Sequence, residues 1–140
     1  MKQDNRPLPR PNSYMHTQPF WDAAREKRLV MQRCDSSGQL QHPPRPVSLV
    51  TGKRDLSWQE VAGTGTLYSW TITHSAWPGH EHRVPYICAL VKLDEGPRIL
   101  CNLINCQAEE LKAGLKVRVA WEELGDDINY PAFEPISGQA

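Results

Sequence analysis

Charge of one sign is what this 140-residue sequence most plainly lacks. Lys plus Arg number 16 and Asp plus Glu number 16, so the formal net charge is zero. A chain without basic excess has little long-range attraction for a polyanion, which argues against nucleic acid as the main partner. No run approaches the roughly 20 apolar residues of a membrane span. The opening MKQDNRPLPRPNSYMHTQPF lacks the apolar stretch of a secretory signal. P-loop, dinucleotide fingerprint and Gly-x-Ser-x-Gly elbow are also missing, which removes those nucleotide and serine-hydrolase readings. No internal repeat is visible. Cysteine is limited to four residues. Cys88, Cys101 and Cys106 fall in or beside apolar runs, where a free thiol behaves as a small hydrophobe. A reduced, cytoplasmic protein without disulfides is therefore expected.

What is present divides into three segments. Residues 1–19 carry Pro7, Pro9, Pro11 and Pro19 among polar residues and read as an extended arm. Residues 20–57 begin with FWDAAREKRL, a helix that buries Phe20, Trp21, Ala24 and Leu29 on one face. Short strands follow at LVMQRC and GQLQH, with PPRP stiffening the next connection. From Trp58 to residue 140 the pattern is that of longer strands. GTGTLYSWTITH is rich in Thr, Trp and Ile, and its glycines suit a bulge or bend. PYICALVKLDEGPRILCNLI reads as a hairpin turning at Asp94-Glu95-Gly96, with Ile87, Ala89, Val91 and Leu93 on one face. QAEELKAG reads as a short helix ending at Gly114. LKVRVAWEEL alternates Leu115, Val117, Val119 and Trp121 against Lys116, Arg118 and Ala120, the pattern of a half-buried strand. DDINYPAFEPI closes the chain as a strand that Pro131 and Pro135 confine to an edge. The fold class is mainly β: an N-terminal helix, a ribbon-like segment, then a five-stranded barrel of the OB type.

The stretch CDSSGQLQHPPRPVSLVTG, residues 34–52, has the spacing of two metal knuckles. A zinc ribbon needs thiolates at all four knuckle positions. Here those positions hold Cys34, Ser37, Ser48 and Thr51. Hydroxyls ionise too reluctantly to replace thiolates, and His42 between the knuckles brings the count only to two. Zinc is expected to be absent.

HSAWPGHEHRVPY gathers His74, His80, Glu81, His82 and Arg83 around a Pro78-Gly79 turn. A His-x-His metal site and acid–base work by a histidine were weighed against a solvated loop with partner contacts, and the latter is favoured. Trp77 in that loop suits an interface anchor. Cys88, Cys101 and Cys106 lack a locally spaced base and read as packing rather than nucleophiles. Trp58, Tyr68, Trp70 and Trp121, with Arg33, Arg45, Lys53, Arg54, Arg83 and Arg98, keep a single-stranded nucleic-acid module as the weaker alternative.

In order and spacing, PFWDAAREKRLVMQRC, the knuckle frame with PPRP, DLSWQEVAGTGTLYSWTITH, the hairpin, LKAGLKVRVAWEEL and PAFEP together resemble the zinc-ribbon/OB-fold, acyl-CoA-associated family once catalogued as domain of unknown function thirty-five. The sequence departs from that pattern at Ser37, Ser48 and Thr51, where many members carry Cys. The resemblance implies a rubredoxin-like ribbon before the barrel. It also implies a non-catalytic subunit in a hetero-oligomer with an acyl-CoA enzyme: a thiolase, a thiolase-fold retro-aldolase that cleaves steroid or other side chains, an acyltransferase or a hot-dog-fold hydratase. The CoA thioester would then be a shared ligand. Arg45, Trp77, His80, His82, Arg83 and Tyr86 are the candidate contacts to CoA or partner.

Overall fold

The computed structural model describes residues 10–139; the first nine residues of the expected arm, and Ala140, lie outside the described residues. Helix α1 spans Gln18–Arg25 and buries Phe20, Ala23 and Ala24. Pro19 sits in its first turn, where the missing N–H would have had no helical partner. The helix is shorter than FWDAAREKRL suggests. Lys27 turns left-handed at φ 56, and the amides of Lys27 and Arg28 return to the carbonyls of Ala24 and Ala23 at 2.9 and 3.0 Å. That is a Schellman-type stop, built here without glycine. Leu29 is buried as expected, but from the chain leaving the helix.

A three-stranded antiparallel sheet follows, with β1 (Val30–Cys34) between β2 (Leu40–Gln41) and β3 (Leu56–Glu60). Trp58 lies in β3, opposite Gln32. The proline-rich strap after β2 is held by two buried glutamines. Gln32 accepts from the Arg45 amide at 2.8 Å and donates to the Arg45 carbonyl at 2.9 Å. Gln41 donates to Gln32 and to the Val47 carbonyl, and accepts from the Leu49 amide. Buried amides in a sheet need such partners, and a strap without strand pairing supplies them.

The second unit is a closed barrel of β4 (Thr64–Thr73), β5 (Tyr86–Leu93), β6 (Arg98–Leu103), β7 (Lys116–Glu123) and β8 (Asn129–Pro135), in the order β4-β5-β6-β8-β7. This is the five-stranded OB-type barrel that the sequence predicts. Ile87, Ala89, Val91 and Leu93 all point inward and are buried, with Leu67, Ile99, Val117 and Phe133. Gly65 serves a close approach, since a Cβ there would stand 2.3 Å from the Lys92 carbonyl oxygen. The bulge itself falls at Tyr68, where the β4–β5 register shifts between Leu67 and Ser69.

Two expectations are corrected. QAEELKAG forms only a 3-10 turn over Ala108–Glu110, braced by reciprocal bonds between Gln107 and Glu110. β8 is not an edge, since it lies between β6 and β7. Pro131 and Pro135 share their orientation with Phe133, whose carbonyl accepts from Ile104 on the β6 side. That side carries a single paired residue, Leu103 with Phe133, so a proline without an N–H costs little there. Helix and barrel are joined by buried Asn129, whose side chain donates to the carbonyls of Ala24 and Arg25 at 3.0 and 3.3 Å.

Candidate functional site

The two knuckle turns have one backbone design. In the first, the amides of Gly38 and Cys34 bond the carbonyls of Cys34 and Gln39 at 2.7 and 2.9 Å. In the second, the amides of Gly52 and Ser48 bond the carbonyls of Ser48 and Lys53 at 2.9 and 2.8 Å. Gly38 and Gly52 take the matching left-handed φ of 76 and 69. Ser37 and Thr51 hydroxyls accept from the amides of Gln39 and Lys53, both at 3.2 Å, and Ser48 accepts from Val50 and Thr51. The group that ties the turns together is Asp55, which the motif does not contain. It accepts from Ser36 at 2.5 Å, from Thr51 at 2.6 Å, and faces the Cys34 thiol at 3.9 Å. These bonds hold the Asp55 carboxyl below the usual carboxylate range, and hydrogen bonds from Ser37 and Ser48 lower the Cys34 thiol.

A cleft of about 570 Å3 lies where helix, ribbon and barrel meet. Phe20 and Trp21 from α1, His42 and Pro43 from the ribbon, and Ile99 and Leu100 from β6 form much of its wall. Its aromatic floor is fixed by edge-on contacts: Phe20 with Trp21 at 5.1 Å, and Trp21 with Tyr130 at 5.4 Å between ring centres. Such edge-to-face geometry is the favoured one for aromatic pairs. His42 leans on Phe20 at 5.6 Å, and burial pushes its imidazole down to about 4. Arg83 reaches in from the β4–β5 loop and donates to Glu122 Oε2 at 2.7 Å. The pair is mostly buried, so it is screened less than a surface ion pair. His42 Nδ1 and Glu122 Oε1 are buried polar atoms with no hydrogen-bond partner.

The structure brings His80 and Arg83 into this cleft, with His42, Cys88 and Cys101, and leaves Arg45, Trp77, His82 and Tyr86 outside its lining. Trp77 is 79% exposed. His82 and the Arg45 side chain are exposed, and Tyr86 is half-buried at the start of β5. His74 is exposed, and Glu81 accepts from the Gly79 amide. Among the described residues no three His, Cys, Asp or Glu side chains come together as a metal-binding group. Cys101 lies in the cleft wall, but burial pushes its thiol up to about 12, so it stays protonated and is a poor nucleophile. Burial raises Cys106 as well. Sequence reasoning missed Glu122, Tyr130 and the cleft role of His42. Glu122, with Oε1 unpartnered, sits in a strand whose alternation already explained it, so only the fold exposes its surroundings.

A zinc-ribbon-like sheet leading into an OB barrel, with an aromatic cleft at their junction, defines the class: a two-part ribbon–OB protein. Residues 21–47 match the rubredoxin-like zinc ribbon domain of ChsH2, and residues 58–122 match its C-terminal OB-fold domain. The chain belongs to this ChsH2/DUF35 family. A DUF35 domain-containing scaffold protein of Pyrococcus furiosus is 34% identical over 111 residues, 79% of this chain and 81% of that one. The solved Ltp2-ChsH2(DUF35) aldolase is similar with a TM-score of 0.82 and 35% identity, covering 90% of this chain and 98% of that one. A probable enoyl-CoA hydratase alpha subunit of Thermomonospora curvata is 37% identical over 121 residues, 86% of this chain. The chain spans only 38% of that subunit's length.

The match at residues 21–47 overturns the expectation that zinc is absent, because it assigns the segment to a zinc-ribbon domain. The residues present do not supply that domain's usual donors. Cys34 is the one knuckle thiol, and Asp55 is the carboxylate beside it. The remaining knuckle positions are hydroxyls engaged with backbone amides. A four-thiolate centre does not fit this donor set.

Proposed function

We propose that this chain is a non-catalytic accessory subunit of an acyl-CoA-processing complex, one that stabilises or completes the active site of a thiolase-fold thiolase or retro-aldolase. The observation that carries the reading is the likeness to the Ltp2-ChsH2(DUF35) aldolase across 98% of that chain. The Cys101 thiol, held protonated by burial, is a poor nucleophile in the cleft wall, in keeping with a non-catalytic role. Steroid or other side chains are the substrate class we infer for such a complex, in the cytoplasm. Arg45, Trp77, His80, His82, Arg83 and Tyr86 are proposed as contacts to the partner or to a shared CoA thioester. The division into arm (1–19), helix with ribbon (20–57) and OB unit (58–140) is part of the same proposal.

A second reading, accessory subunit of a hot-dog-fold enoyl-CoA hydratase, is favoured by the identity to the Thermomonospora curvata subunit. Co-expression with a thiolase-fold partner encoded beside the chain, followed by co-purification and assay of acyl-CoA cleavage, tests the first reading. A hetero-oligomer whose activity requires both chains is expected. Hydratase activity with a hot-dog partner would select the second reading. A monomer that ignores both, and binds single-stranded oligonucleotides with steep salt dependence, would overturn both. Turnover of an acyl-CoA by the isolated chain, lost on substituting His74 or His82, would refute the non-catalytic role.

A further inference from the structure

We propose that the cleft between helix, ribbon and barrel binds a neutral, largely apolar small molecule through a hydroxyl that donates to Glu122. The volume of about 570 Å3 lies within the range of small-molecule sites, which are mostly apolar with a few placed polar groups. The walls contributed by Phe20, Trp21, Tyr130 and Leu100 fit an apolar body. The polar end is specific. Arg83 satisfies Glu122 Oε2 at 2.7 Å, while Oε1 is buried without a partner. A carboxylate oxygen only accepts, so what completes it must donate.

Charge narrows the class further. The guanidinium and carboxylate balance each other, so the site offers no net charge to compensate the desolvation of an ionic ligand. A hydroxyl carries the donor without net charge. The last torsion of a glutamate is soft, which lets Oε1 turn toward an entering donor while the guanidinium, with several N–H groups, keeps its hold. His42 Nδ1, buried and unpartnered on the ribbon wall, is a second polar point. A hydroxyl that donates to Glu122 has only its lone pairs left, and so pairs with His42 when Nδ1 carries the ring proton. The site is built within this one chain and does not depend on which enzyme the chain serves.

Three probes of one shape test the proposal on the full chain: 2-naphthol, 2-methylnaphthalene and 2-naphthoate, titrated by quenching of tryptophan fluorescence and by calorimetry. The alcohol should bind at least about tenfold tighter than the methyl analogue, the order expected of a hydrogen bond to a charged acceptor. The carboxylate should bind more weakly than the alcohol. Glu122→Gln should shrink the preference for the alcohol. Leu100→Trp, at a rim position 74% exposed and so tolerant of change, should weaken all three while leaving the melting temperature unchanged. Equal affinity for alcohol and methyl analogue, no binding of any probe, or binding untouched by Leu100→Trp would each overturn the proposal.

Discussion

At the scale of single residues, Asp55 and His42 carry opposite kinds of information about pH. Hydrogen bonds from Ser36 and then Thr51 favour the ionised form of Asp55. The unfolded chain therefore holds that proton more tightly, at the ordinary value of about 3.9. The stabilisation is fully present above that value and is lost as pH falls through the lower folded value. Asp55→Asn should thus lower the urea midpoint at pH 7, and the gap from the parent protein should narrow as pH falls below about 3.9. A constant gap across that range would show that shape, not charge, is what Asp55 supplies. His42 acts in a different window. Its folded value of about 4 lies below the unfolded value of about 6.5, so the unfolded chain takes up a proton that the fold resists. Stability should fall between pH 6.5 and 4, by roughly 3 kcal/mol at full extent. His42→Phe should flatten that slope, as read by denaturation at pH 7, 5.5 and 4.5.

At the scale of elements, the chain uses buried amides where regular pairing runs out. Gln32 and Gln41 hold the strap over residues 45–49 to the ribbon sheet, and Asn129 holds the end of α1 to the barrel. Gln32→Ala strands the Arg45 amide and carbonyl and a face of Gln41. It should cost about 1–3 kcal/mol, the penalty for buried groups left unpaired, measured as a shift in chemical unfolding. Asn129→Ala should cost a similar amount and increase amide exchange in α1 before the barrel strands. If both variants unfold as the parent does, the side-chain bonds are ornaments on an already fixed backbone. These links were illegible in the sequence, since a glutamine in a strand has no periodicity that marks its partner. The barrel strands were legible, because inward residues such as Ile87, Ala89, Val91 and Leu93 must alternate in a pleated sheet. The end of α1 was not, because a left-handed Lys27 gives no glycine signal. The proline positions of β8 misled because sequence cannot say which side of a strand faces a sparse pairing. The knuckle frame was visible through the repeated glycine spacing, whereas Asp55, which joins the knuckles, lies beyond the repeat.

At the scale of the whole molecule, the ribbon and barrel are two small units held by one helix and its cleft, and the loop before β5 reaches that cleft at its C-terminal end while its tip stays exposed. Arg83 anchors that loop to Glu122, while Trp77, six residues earlier, projects with 79% of its surface exposed. A large aromatic held out on an anchored loop contributes little to the fold but suits burial in a partner, where Trp is enriched among the residues that dominate binding. Trp77→Ala should therefore leave the unfolding free energy within about 0.5 kcal/mol of the parent. The same change should weaken association with the proposed partner enzyme by about 2 kcal/mol, roughly thirtyfold in Kd. Calorimetric unfolding of the free chain and a binding titration with the purified partner separate the two effects. Unchanged affinity would place the interface elsewhere, and a large loss of stability would make Trp77 a packing residue rather than an anchor.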